Sequence, residues 1–139
     1  MFVPDAIAPR VDVVRRYFAA LEVGDTSRIL SLFHPSGEVL SPFLGRMEAA
    51  SFFARLAESS QASETEVFDI FPSPTTSRVA AYFHYRWTLR DGSVIEFDCC
   101  DIFDFVAASG SDETEPCIRT LTIIYDTAPI RADVGDKYA

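Results

Sequence analysis

Near Ser60 the period of the hydrophobic pattern changes, and that change limits the possible folds more than any single motif. Before it, apolar residues recur at three- and four-residue spacing; after it they alternate or run together in β-branched and aromatic stretches. From about Val11 to Val23, the residues Val13, Val14, Tyr17, Phe18 and Leu21 form the stripe of an amphipathic helix. Gly24 ends it, Asp25 caps a short second helix over "TSRILSLF", and after Pro35 the stretch "GEVLSPFLG" reads as a brief strand and turn. Gly45 then opens a third helix, "RMEAASFFARLAES", with Met47, Ala50, Phe53, Ala54 and Leu56 or Ala57 inward, and Ser59 to Ser63 form its polar exit. The second half holds four strand-like runs: "ETEVFDIFPS", "SRVAAYFHYRWTLR", "SVIEFDCCDIFDF" and "CIRTLTIIYDT". Helices followed by a meander of strands predict an α+β fold, three N-terminal helices packed on one face of a curved, mainly antiparallel sheet.

A chain of 139 residues with no internal linker is one domain, here with residues 1–8 and about 128–139 as tails. Its net charge of −9 repels phosphate backbones and anionic surfaces, which argues against nucleic acid and membrane as partners. No stretch has the length or composition of a membrane span or secretory leader, so a cytoplasmic protein is the expectation. Cys99 and Cys100 are adjacent and point to opposite strand faces, and neither they nor His34 and His84 have metal-ligand spacing, so no metal or cofactor is expected. The acidic stretch "SGSDETEP" reads as a solvated loop.

The segment "IEFDCCDIFDF", Ile95 to Phe105, repeats an aspartate every third residue inside a strand. Alternation puts Glu96, Asp98, Cys100, Ile102 and Asp104 on one face, and Ile95, Phe97, Cys99, Asp101, Phe103 and Phe105 on the other. Asp101 is therefore a lone carboxylate in an apolar row, and it must find a partner, take up a proton or reach water. Upstream, Asp91-Gly92 signals a two-residue type I′ hairpin. That turn pairs Arg86 with Phe97, His84 with Cys99 and Tyr82 with Asp101, and so gathers Tyr82, His84 and Arg86 beside Asp101 on the wall of a solvated pocket. A three-residue loop would slip the register and put Trp87 beside that row instead. With the two-residue turn, Phe83, Tyr85 and Trp87 share the opposite face with Glu96 and Asp98. So apolar a row predicts a homodimer packed sheet to sheet through the outer face.

The order of elements and the segments "RRYFAALEVGD", "SPFLG" and "FDCCDIFDF" resemble the NTF2-like superfamily, in its ketosteroid isomerase and SnoaL-like branch. The resemblance covers nearly the whole chain. It implies a cone of curved sheet around three helices with a deep apolar pocket between them. It further implies that Tyr17 stands where the isomerase has its oxyanion-hole tyrosine and Asp101 where it has the protonated acid. The isomerase's general-base aspartate is replaced by Ser41, so the resemblance carries over a carbonyl-polarising pair but not that base. The final strand offers isoleucine where an epoxide hydrolase of this fold needs aspartate, which disfavours that chemistry. The implied catalytic set is Tyr17, Asp101 and His84, the last moving protons. Substrate contacts would come from Ser41, Tyr82, Arg86, Phe97 and Cys99. Leu121, Ile123 and Tyr125 of the last strand would add to them. The expected activity is cofactor-independent isomerisation, cyclisation or dehydration of a small apolar molecule of polyketide, terpenoid or steroid type. A non-catalytic module that binds such a ligand or dimerises is the alternative.

Overall fold

The structure is a computed structural model that describes residues 7–107 and 115–128; the acidic loop and both tails fall largely outside these. The described residues form helices α1 (Ile7–Val23), α2 (Thr26–Ser31) and α3 (Ala49–Ser59) and strands β1 (Phe33–Ser41), β2 (Gly45–Glu48), β3 (Ser60–Pro72), β4 (Val79–Leu89), β5 (Val94–Ala107) and β6 (Pro116–Tyr125). Asp25 caps α2 as expected, its carboxylate accepting from the Arg28 amide at 3.0 Å. The apolar stripe of α1 is buried as the spacing predicts: Val13, Val14, Tyr17 and Phe18 are each no more than 4% exposed.

The strands form one sheet in the order β2-β1-β6-β5-β4-β3, antiparallel throughout except for the parallel pair β1 and β6. This curved sheet with helices on one face is an α+β cone. β1 enters beside β6, the last of the described strands, and runs parallel to it. Phe53 of α3, Phe103 of β5 and Tyr17 of α1 meet edge to face, with Tyr17–Phe103 centroids 5.3 Å apart, tying helices to sheet in one core.

Three local expectations change. Gly45, at φ +66°, leaves the turn after Ser41 and starts strand β2, so α3 begins only at Ala49. Of the polar exit from Ser59 to Ser63, Ser59 ends α3 and the rest begins β3, whose Ser60 Oγ donates to the Leu56 carbonyl and closes the helix. His34, whose place before Pro35 in the sequence suggests a role at a helix end, instead lies in β1, where its Nδ1 accepts from the Ser36 amide at 3.1 Å.

The largest correction concerns the β4–β5 hairpin. Leu89 N donates to Ser93 O and Gly92 N to Leu89 O, so the loop is the three residues Arg90, Asp91 and Gly92, with Gly92 at φ +87°. Asp91 holds this loop through the Ser93 amide and hydroxyl. Tyr85 therefore pairs with Phe97, Phe83 with Cys99 and Ala81 with Asp101, while His84 faces Asp98 and Arg86 faces Glu96. One residue of slip turns every β4 side chain over. Phe83, Tyr85 and Trp87 face the helices rather than a partner, and Tyr82, His84 and Arg86 face outward. The dimer face assigned to the aromatic row is thus an interior surface.

Candidate functional site

A cavity of about 430 Å³ opens between α1, α3 and the concave side of the sheet. Its helical wall is Tyr17 and Leu21 from α1, with Phe52, Arg55, Leu56 and Ser59 from α3. The latter four lie at i, i+3, i+4 and i+7, one face of a helix. The sheet contributes Phe83, Tyr85 and Trp87 from β4, Phe97, Cys99 and Asp101 from β5, and Ile123 and Tyr125 from β6. Ser41, at the end of β1, the following Phe43 and Leu44, and Leu89 and Ile95 near the β4–β5 turn complete the lining. Aromatic rings order the wall: Phe97 and Tyr125 stack at 4.3 Å, and Tyr85 meets Phe97 edge to face at 5.6 Å.

Asp101 is the single carboxylate in this lining among the described residues, and it is 2% exposed. Alternation along β5 brings it inward, as the sequence indicates. Its Oδ1 accepts from the Cys99 thiol at 3.4 Å, the neighbour two residues back on the same strand face. Burial raises its pKa to about 7, and the thiol hydrogen bond offsets part of that rise. Near neutral pH the group is then divided between its charged and neutral forms. Cys99 itself stays a thiol, because burial and then the Asp101 carboxylate push its pKa far up. It is a hydrogen-bond donor here rather than a nucleophile.

Tyr17 is buried at 2% exposure, and burial followed by the Asp101 charge holds its pKa well above the usual value, so its hydroxyl keeps its proton. Tyr85 is pushed up to about 12, mainly by burial, with Ser63 partly offsetting it through a 2.7 Å hydroxyl–hydroxyl bond. Tyr125 is likewise raised to about 12 by burial. Trp87 Nε1 donates to Ser60 Oγ at 2.7 Å, which leaves its ring face to the cavity. Ser41 Oγ is buried without a hydrogen-bond partner among the described residues. An orphaned hydroxyl in a pocket wall is a place for a ligand oxygen.

Of the residues expected from sequence, the structure gathers Tyr17, Ser41, Phe97, Cys99, Asp101, Ile123 and Tyr125 around one cavity. Leu121 is fully buried in the core and does not line it. Tyr82, His84 and Arg86 are on the far side of the sheet. There His84 bridges Asp98 (2.8 Å) and Glu96 (3.0 Å), Arg86 reaches Glu64 at 3.1 Å, and Tyr82 packs on Phe68. The pair Glu96 and Asp98 raises the His84 pKa, chiefly through these hydrogen bonds. His84 therefore belongs to an acidic cluster on the outer face of the sheet and does not reach Asp101 across it. Sequence reasoning assigned Phe83, Tyr85 and Trp87 to the wrong face and passed over Phe52 and Arg55; the i, i+3, i+4, i+7 run from Phe52 to Ser59 was the available signal for the last two.

The same arrangement of helices and sheet recurs in other proteins, although the chain matches no curated protein sequence. Among solved structures, an NTF2-like protein of unknown function from Burkholderia pseudomallei superposes with a TM-score of 0.72 at 15% identity, covering 92% of this chain and 98% of that one. TerC, co-crystallized with polyporic acid, superposes at 0.71 with 16% identity, covering 92% and 99%. AusH from Aspergillus nidulans does so at 0.69 with 12% identity, covering 91% and 87%. These likenesses show a shared fold. The SnoaL-like domain profile matches residues 14–110, which take in both Tyr17 and Asp101, and the chain belongs to that SnoaL-like family of the NTF2-like superfamily.

Proposed function

We propose that this protein moves a proton on a small apolar carbonyl compound, without a cofactor, using Asp101 as the acid–base group and Tyr17 as the hydroxyl that meets the carbonyl oxygen. The observation that carries this reading is a lone carboxyl, 2% exposed, in the wall of a largely apolar cavity, where burial raises its pKa to about 7. In its charged form Asp101 takes a proton from the carbon beside the carbonyl. The electron pair moves into an enolate, whose oxygen receives the Tyr17 hydrogen bond. In its neutral form Asp101 returns the proton to the same or a second carbon. Exclusion of water by Phe83, Tyr85, Trp87 and Phe97 keeps the enolate from being quenched by solvent. A single proton carrier fits isomerisation or an aldol-type ring closure better than reactions that need a separate acid and base. His84 and Arg86 take no part, since both lie outside the cavity. Ser41 supplies a hydrogen bond to a second substrate oxygen.

The test is deuterium uptake next to the carbonyl of a panel of apolar ketones, 2-tetralone and a 3-oxo-Δ5 steroid among them, followed by NMR in heavy water. The protein accelerates uptake, the rate rises through about pH 7 as Asp101 ionises, and Asp101→Asn lowers it by roughly a hundredfold or more. Equal rates with Asp101→Asn would overturn the reading. The second reading, a binding module without chemistry, is favoured by the absence of a second carboxylate or a histidine in the lining among the described residues; ligand binding with no uptake for any ketone would establish it. Self-association, expected from the sequence, has in this reading the outer face to use, where Phe68, Tyr82 and Ile124 are exposed.

A further inference from the structure

Among the described residues, Arg55 stands apart from most of the other arginines. Arg16, Arg28, Arg46, Arg78 and Arg86 each have a carboxylate partner, and Arg90 and Arg119 donate to backbone carbonyls. Arg55 has no such partner among the described residues, yet it lines the cavity from the exposed side of α3. Arg15 also has none, but it lies on the solvent side of α1 and lines no cavity. In a chain of net charge −9, a guanidinium with no carboxylate partner among the described residues, set at the mouth of an apolar pocket, is the local exception to the field of the molecule.

We infer that the ligand is an oxo acid: an apolar body whose carbonyl enters toward Tyr17 and Asp101 and whose carboxylate stays at the mouth on Arg55. The orientation follows from charge. A carboxylate driven inward would meet the buried Asp101 in a water-poor site, which is unfavourable for both groups. At the mouth it keeps its hydration and gains the planar two-donor fork of a guanidinium. Arg55 then sets specificity and orientation without touching the reacting carbon. The inference rests on the proposed reading of the pocket as a site for an apolar carbonyl compound, but it concerns binding alone.

The test is isothermal titration of two matched pairs, a 3-oxo steroid 17-carboxylic acid with its methyl ester, and 6-acetyl-2-naphthoic acid with its methyl ester. The wild-type protein prefers the acid of a pair by roughly two- to fivefold, the range for an exposed ion pair. Arg55→Gln brings acid and ester to equal affinity with the ester unchanged, and Arg55→Glu inverts the preference. An ester bound as well as its acid by the wild-type protein, or an acid preference that survives Arg55→Gln, overturns the inference and leaves the acid–base reading standing. Failure of both acids and both esters to bind overturns the pocket reading and the inference with it. Because binding is read directly, absence of turnover has no bearing on the outcome.

Discussion

Asp101 is where the sequence accepts an energetic penalty inside the core. Its pKa rises from 3.8 to about 7 on folding, so between these values the native state holds a proton that the unfolded chain has lost. Stability attributable to this residue is therefore greatest below about pH 4 and falls as pH rises toward 7. Above pH 7 the loss reaches at most about 4 kcal/mol, since each tenfold change in proton affinity corresponds to about 1.36 kcal/mol. Asp101→Asn keeps the shape and removes the charge. The variant is expected to be more stable than the parent at pH 8, with the difference narrowing as pH falls and closing only below about pH 4, as read from urea midpoints at each pH. Equal midpoints at both pH values would show that Asp101 ionises normally. His84 behaves in the opposite sense. Its pKa is raised by Glu96 and Asp98, so the pairing stabilises below about pH 6.5 and fades as pH rises through the folded value. The group is a third exposed and the gain is small. His84→Gln is expected to cost less than about 1 kcal/mol at pH 6 and to leave deuterium uptake unchanged. NMR of the wild-type ring should show it titrating above 6.5; a normal midpoint would mean that the two carboxylates do not hold it.

At the scale of elements, alternation along β5 alone was enough to predict which of its residues point inward, because a strand buried on one face repeats every two residues. The β4 residues could not be placed that way. Their orientation depends on whether two or three residues turn the chain, and Asp91-Gly92 serves both: as the centre of a type I′ turn, or, as here, with Gly92 in the left-handed region closing a longer loop. A clue did exist in the residues themselves. Phe83, Tyr85 and Trp87 form the more apolar row of β4 and Phe97, Cys99 and Phe103 that of β5, and only the three-residue loop puts both rows on one side. Gly92 is then the residue that holds the register. A Cβ there would meet nothing within 4 Å, so the penalty for Gly92→Ala is conformational alone, about 1–2 kcal/mol. Gly92→Asn should lose less, since Asn enters the left-handed region more readily. Equal losses for the two, measured by thermal unfolding, would mean that backbone strain is not what Gly92 relieves. Gly37 is the contrasting case, at ordinary φ but with its Cβ position 2.9 Å from the His34 carbonyl oxygen, a contact of packing rather than of turn geometry.

For the whole molecule, the order of periods from helix to strand was sufficient for the α+β layering, whereas the parallel return of β1 beside β6 joins distant parts of the chain and left no local signature. The pocket was legible as a set of inward β5 and β6 residues plus Tyr17 and Ser41, and illegible where it depended on β4 or on the face of α3 that carries Phe52 and Arg55. Trp87 makes the corrected architecture testable in solution. On an outer dimer face its emission would shift red on dilution. In the cavity wall, with its indole N–H on Ser60 and its ring stacked near Tyr85, it is indifferent to protein concentration and responsive to what fills the pocket. Emission is therefore expected to stay constant through a hundredfold dilution and to change on saturation with 2-tetralone or a naphthoic acid derivative. The same ligand, binding only the folded state, should raise the melting temperature, because at a hundredfold excess over Kd it adds about 2.7 kcal/mol of stability. Trp87→Phe would remove the optical signal while keeping the thermal one. A dilution-dependent emission with no response to any pocket ligand would place Trp87 between subunits, and the three-residue loop, the β4 register and the cavity built on them would all have to be abandoned together.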